Sequence, residues 1–139
     1  MTTYIKDDIY LQMGLFKKKK LILLVDDDRN ILQTSSSILE DWNYRVITAD
    51  NGEIVFKEAT ENKPDLIILD VMLPGINGFD VCEMLKDNPA TSDIPIIMMT
   101  GISKMGQVDR GFQAGADEYI TKPVDWNRLR EKIEQLINR

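Results

Sequence analysis

A doubly wound α/β fold, with five parallel strands and five helices, is predicted by three observations. Short unbroken aliphatic runs alternate with longer amphipathic segments from residue 20 onward. The runs Leu21-Ile22-Leu23-Leu24-Val25 and Leu66-Ile67-Ile68-Leu69 hold no polar residue, as strands buried on both faces require. The connections are short and punctuated by Pro64, Pro74, Pro89 and Pro95, which suits consecutive βα units.

Taken in order, the first strand spans 21–25 and runs into Asp26-Asp27. Asp28 is placed as the N-cap of a helix over 29–41, because a carboxylate there accepts from otherwise unsatisfied helical N–H groups. A strand over 45–49 and a helix over 52–62 follow. The third strand, 66–70, ends in Asp70 and leads to a helix over 78–87. The fourth strand, 95–99, runs into Thr100. A helix over 104–114 follows, bracketed or interrupted by Gly101, Gly106, Gly111 and Gly115. Each interior glycine costs about 1 kcal/mol against alanine. Those glycines therefore serve either close packing and capping, or an element of low local stability that can shift. The last strand, 117–120, precedes Thr121-Lys122-Pro123. The final helix, 125–138, carries Trp126, Leu129, Ile133 and Leu136 at the 3.6-residue period.

Residues 1–19 stand apart as an N-terminal extension, with 20–139 as the folded domain. Ile5, Ile9, Gln12 or Met13, and Phe16 loosely fit one face of a short helix. Residues 1–20 carry five lysines against two aspartates, hence +3, and the remainder of the chain carries −9 within a total of −6. Lys17 to Lys20 read as a solvated lead-in to the first strand.

The 139 residues suffice for one domain with a real core. No apolar stretch reaches the length of a membrane span, and the start lacks a signal-peptide pattern, so a cytoplasmic location is expected. Cys82 is the single cysteine and histidine is absent. A histidine general base, a phosphohistidine carrier and any histidine metal site are thereby excluded. Metal chemistry here is oxygen chemistry, pointing to Mg²⁺, Ca²⁺ or Mn²⁺. The acidic balance argues against direct binding of nucleic acid.

In parallel sheets, ligands sit beyond the carboxyl ends of the strands. Asp26, Asp27, Asp70, Thr100 and Lys122 all fall there. Two carboxylates about 4 Å apart repel by roughly 4 kcal/mol at an effective dielectric near 20, so such a cluster needs a cation or a proton. Carboxylates from two strands can share Mg²⁺, a lysine and a hydroxyl can contact phosphoryl oxygens, and a carboxylate can itself be the nucleophile.

Val25-Asp26-Asp27, Leu69-Asp70-Val71-Met72-Leu73-Pro74-Gly75, Met99-Thr100-Gly101 and Thr121-Lys122-Pro123 resemble the receiver domain of two-component response regulators, over about residues 20–139. The resemblance implies a flavodoxin-like sheet of strand order 2-1-3-4-5. It implies that Asp70 is the phosphoacceptor, fed by a histidine kinase or phosphotransfer protein. It implies that Asp26, Asp27, Asp70 and the Met72 backbone carbonyl hold Mg²⁺, with Mn²⁺ as a substitute. Thr100 and Lys122 would contact the phosphoryl group, Tyr119 would be an aromatic switch coupled to Thr100, and the Lys122–Pro123 peptide would be cis. Met72 and Ile102, at the two positions that tune phosphoryl lifetime in this family, are apolar and imply a long-lived phosphoryl group. Such a domain signals rather than turning over a substrate. It would signal through its fourth helix, fifth strand and fifth helix to a downstream protein the residues do not name, with phosphorylation-dependent homodimerisation open. A single-domain regulator without DNA-binding output is expected, the alternative being a fragment of a longer regulator or hybrid kinase.

Three other readings compete. Asp26-Asp27-Asp28 resembles the D-x-D motif of haloacid dehalogenase phosphatases, with Asp26 as nucleophile and Asp28 as acid, but the acidic pair expected after the lysine is reduced to Asp125. A degenerate receiver acting only as a binding module conflicts with the filled positions. A flavin-binding module conflicts with an acidic rim that repels phosphate.

Overall fold

The computed structural model describes residues 18–101 and 105–139, with the side chains of 105–108 left aside. Among the described residues, five strands, β1 (Leu21–Val25), β2 (Arg45–Ala49), β3 (Leu66–Asp70), β4 (Ile96–Thr100) and β5 (Glu118–Thr121), alternate with five helices. The helices are α1 (Arg29–Asp41), α2 (Val55–Asn62), α3 (Gly78–Asp87), α4 (Met105–Gln113) and α5 (Trp126–Ile137). All strand pairs are parallel, in the order β2-β1-β3-β4-β5. The doubly wound, flavodoxin-like sheet expected from the sequence is the one observed.

The aliphatic runs explain the arrangement. The three central strands β1, β3 and β4 are buried at every position, and a fully buried aliphatic side chain contributes about 1.5–3 kcal/mol. Side chains alternate between faces along a strand, so each central strand feeds two cores. Leu23, Val25, Ile67, Leu69 and Met98 pack against α2, α3 and the end of α4 through Val55, Phe79 and Ala114. Ile22, Leu24, Ile68, Ile97 and Met99 pack against α1 and α5 through Leu32, Leu39, Leu129 and Ile133.

Several boundaries differ from the sequence reading. The second helix starts at Val55 rather than 52, because the Asn51 carboxamide accepts from Glu53 N and Ile54 N and holds a turn ahead of it. β4 and β5 each begin one residue later than predicted, at Ile96 and Glu118. Asp117 is occupied as a cap: its N–H donates to Ile96 O and its carboxylate accepts from Ile96 N. Asp125 and Asn138 prove to be the caps of α5 rather than its ends. The N-terminal helix, the start of the fourth helix at 104, and Ile102 lie outside the described residues.

Gly111 and Gly115 favour the packing and capping reading of the glycines. A Cβ on Gly111 would meet the Tyr119 ring at 2.9 Å, and Gly115 ends α4's turn at φ +98. Gly101 has nothing within 4 Å of its added Cβ.

Away from the carboxyl edge, Asp117 pins α3, β4 and the chain's last residue together. Its carboxylate accepts from Lys86 Nζ at 3.0 Å, Ile96 N at 2.8 Å and Arg139 at 3.1 Å. Burial pushes this carboxyl up, but those bonds prevail and hold it below its ordinary value. A depressed carboxylate stabilises the fold above the unfolded-state pKa, and that contribution is lost as pH falls through the folded one. Asp117→Asn is therefore expected to lose about 1–3 kcal/mol near neutral pH. The deficit should close in strong acid. Urea titrations at the two pH values check this, and a pH-independent deficit would contradict it.

Candidate functional site

Three ladder hydrogen bonds continue past the strand ends and set the site. Asp26 N donates to Ala49 O at 3.1 Å, Val71 N to Met99 O at 3.3 Å, and Lys122 N to Thr100 O at 2.7 Å. The residues at and just past the ends of β1, β3 and β5 are thus held as extensions of the sheet. Asp26, Asp70 and Lys122 share the strand parity of the α1/α5 face, whereas Thr100 takes the opposite parity, that of Met98.

The side chains then meet. Lys122 Nζ lies 2.8 Å from Asp26 Oδ2 and 3.3 Å from Asp70 Oδ2. The second oxygen of each carboxylate accepts a backbone donor: Asp28 N reaches Asp26 Oδ1 at 3.0 Å, and Met72 N reaches Asp70 Oδ1 at 3.2 Å. Asp26 and Asp70 are 1% and 4% exposed, while Asp27 faces solvent. Ligand oxygens of Asp26, Asp27 and Asp70 all lie within 4.8 Å of one another.

The charges are uneven. Three carboxylates face one ammonium. Burial first, then the neighbouring Asp26 charge, pushes the Asp70 carboxyl up, with Lys122 and the Met72 N–H opposing. Burial lowers the Lys122 ammonium, but Asp26 and Asp70 outweigh it and raise its pKa. An all-oxygen set with surplus negative charge suits a hard divalent cation. The Asp26, Asp27 and Asp70 carboxylates are the groups that could hold one.

Thr100 and Tyr119 form a second cluster behind the acids. Thr100 is fully buried and Tyr119 is 7% exposed. Burial raises the Tyr119 phenol, a hydrogen bond with the Thr100 side chain opposes that, and the Asp70 charge adds to the rise. The Lys122–Pro123 peptide is cis.

Among the residues named from sequence, Asp26, Asp27, Asp70 and Lys122 converge. Thr100 and Tyr119 meet each other. Met72 reaches Asp70 through its N–H, with its side chain 61% exposed. Asp28 caps α1, accepting from Asn30 N at 2.9 Å and Ile31 N at 3.3 Å, so only its N–H serves the site. Gly78 was missed. Its N–H donates to Val71 O at 2.9 Å, and a Cβ there would lie 2.2 Å from Asp70 O. The available signal was its position directly after Asn77, whose side chain caps α3.

Fold and site together define a doubly wound α/β module with an acidic, cation-ready cluster at the carboxyl edge of its sheet. The family model of the response regulator receiver domain matches residues 22–134. This chain belongs to that family. It is 39% identical over 118 residues to the DNA-binding dual master transcriptional regulator RpaA of Synechocystis, covering 85% of this chain and 49% of that one. It is 37% identical over 116 residues to the response regulator PleD of Caulobacter vibrioides, covering 83% and 25%. Among solved structures, a CheY-like response regulator receiver domain protein from Methanospirillum hungatei superposes with a TM-score of 0.81 at 31% identity, covering 87% of this chain and 95% of that one. The chain thus spans half or less of the two curated relatives. Membership displaces the phosphatase and flavin readings. Among the described residues, no helix is long and apolar enough to cross a membrane.

Proposed function

We propose that Asp70 accepts a phosphoryl group from a histidine kinase or phosphotransfer protein in a Mg²⁺-dependent reaction. Residues 20–139 form the receiver and 1–19 an extension. The observation that carries this reading is the bridging of Asp26 and Asp70 by one ammonium, beside a third carboxylate. Asp26, Asp27, Asp70 and the Met72 carbonyl hold the cation, which supplies charge neutralisation at the phosphoryl oxygens when bound. An Asp70 oxygen attacks phosphorus, the bond from phosphorus to the donor imidazole breaks, and its electron pair leaves with the imidazole. Lys122 and Thr100 contact the transferred oxygens. The signal leaves through the α4–β5–α5 surface to a protein partner that binds one of two states better.

Incubation with a small-molecule acyl phosphate and Mg²⁺, followed by intact mass, tests the reading. Wild type is expected to gain one phosphoryl group. Asp70→Asn, or wild type with chelator, is expected to gain none, and uptake independent of Asp70 refutes the assignment. The phosphoryl group is expected to persist on the order of minutes or longer, since neither Met72 nor Ile102 offers a group that orients an attacking water. Decay within seconds in the purified protein would contradict that expectation.

A further inference from the structure

We propose that Gly111 is the positioning residue for Tyr119: its bare backbone lets α4 close onto the ring and keeps it turned inward against Thr100 before any phosphoryl group arrives. The proposal rests on the reading of Asp70 as acceptor only for its functional consequence. A Cβ on Gly111 would lie 2.9 Å from Tyr119 Cδ2, 3.1 Å from Cε2 and 3.7 Å from Phe79 Cε1. The two closest atoms lie on a rigid ring edge, so the ring yields only by swinging as a unit about its side-chain torsions. Tyr119 sits opposite Met98 in the β4–β5 register, two residues short of the Thr100–Thr121 pair's level and so on Thr100's face of the sheet.

The next residue back fastens the helix in place. Arg110 reaches Glu83 at 2.6 Å and Asp80 at 3.6 Å on α3, and its guanidinium lies 5.3 Å from the Phe79 ring centre. Consecutive residues thus do complementary work: Arg110 draws α4 toward α3, and Gly111 leaves the gap that the Tyr119 ring fills. A ligand that needs the inward arrangement binds in proportion to the fraction of molecules already in it. Gly111 raises that fraction, and any side chain there lowers it.

The test uses beryllium fluoride with Mg²⁺, a non-transferable mimic of an aspartyl phosphate, and fluorine NMR of protein labelled with fluorotyrosine. The position-119 resonance is assigned by Tyr119→Phe. Gly111→Ala is expected to shift that resonance toward the solvent-exposed position and to weaken beryllium fluoride binding several-fold. In a Tyr119→Ala background, where the ring and its clash are gone, Gly111→Ala is expected to leave affinity unchanged, as a double-mutant cycle requires of a residue acting through its partner. An unmoved resonance overturns the proposal. So does an equal loss of affinity without the Tyr119 ring, since that marks a merely structural effect on α4. Failure of wild type to bind beryllium fluoride through Asp70 instead overturns the acceptor reading, and the resonance still decides the role of Gly111.

Discussion

Lys122→Met is expected to cut phosphoryl uptake by about 10²–10³-fold, the cost of removing one preorganised donor from a developing phosphoryl charge. The structure makes the loss twofold. Lys122 is the ammonium that Asp26 and Asp70 share, at 2.8 and 3.3 Å. Without it, two carboxylates that are 1% and 4% exposed face each other uncompensated. Removing one partner of a buried ion pair costs about 3–5 kcal/mol. Here the lower end applies, because the Lys122 side chain is itself 22% exposed. The pH signature has a definite sign. Burial and the Asp26 charge already raise the Asp70 carboxyl, and Lys122 opposes them. Its removal lifts that pKa further. A carboxyl raised in the folded state favours folding as pH falls, because the native state then binds the proton more readily than the unfolded one. In metal-free buffer the stability gap between wild type and variant is therefore expected to narrow toward acid. Mg²⁺ should stabilise the variant more than wild type, since the cation replaces the missing charge. Denaturant titrations with and without Mg²⁺ read both effects. Wild-type uptake by Lys122→Met, or equal Mg²⁺ stabilisation of the two proteins, would sink this account of the site.

Gly78→Ala is expected to be the most damaging single methyl. Its Cβ would lie 2.2 Å from Asp70 O, 2.8 Å from Val71 Cα and 3.0 Å from Asp70 C. All three are backbone atoms of the segment that presents the Asp70 carboxylate, so no side chain can swing aside. Overpacking of this kind costs about 1–3 kcal/mol when neighbours can relax, and here relaxation displaces Asp70 itself. A drop in denaturation midpoint together with weakened Mg²⁺ affinity is expected. Gly101→Ala, whose added Cβ meets nothing within 4 Å, serves as the near-neutral control. Equal behaviour of the two variants would show that the close approach at Gly78 does not constrain the site.

The parts of the site legible in the chain are those that local pattern encodes. Asp26, Asp27, Asp70, Thr100 and Lys122 each sit at or just past an aliphatic strand, and a parallel sheet places all such ends on one edge. Asp28 was legible as a cap for the same local reason. Gly78 was not, because its constraint is a contact with the Asp70 carbonyl across a loop, and a single glycine after a capping asparagine carries no record of what it approaches. The glycines around α4 likewise left two readings open until the Tyr119 ring was seen against Gly111.

By itself, then, the sequence determined the strand–helix alternation, the burial of β1 and β3, and the identity of the acids at their ends, because hydrophobic periodicity and strand termini are properties of neighbouring residues. Only the tertiary structure decided that Lys122 bridges both buried carboxylates, that the Met72 and Asp28 N–H groups take their remaining oxygens, and that Asp117 locks Lys86 and Arg139 at the opposite edge. Those contacts join residues as far as 96 positions apart. Distances across the sheet, rather than spacing along the chain, set which charges compensate one another, and that compensation is what makes an otherwise repulsive cluster a stable site.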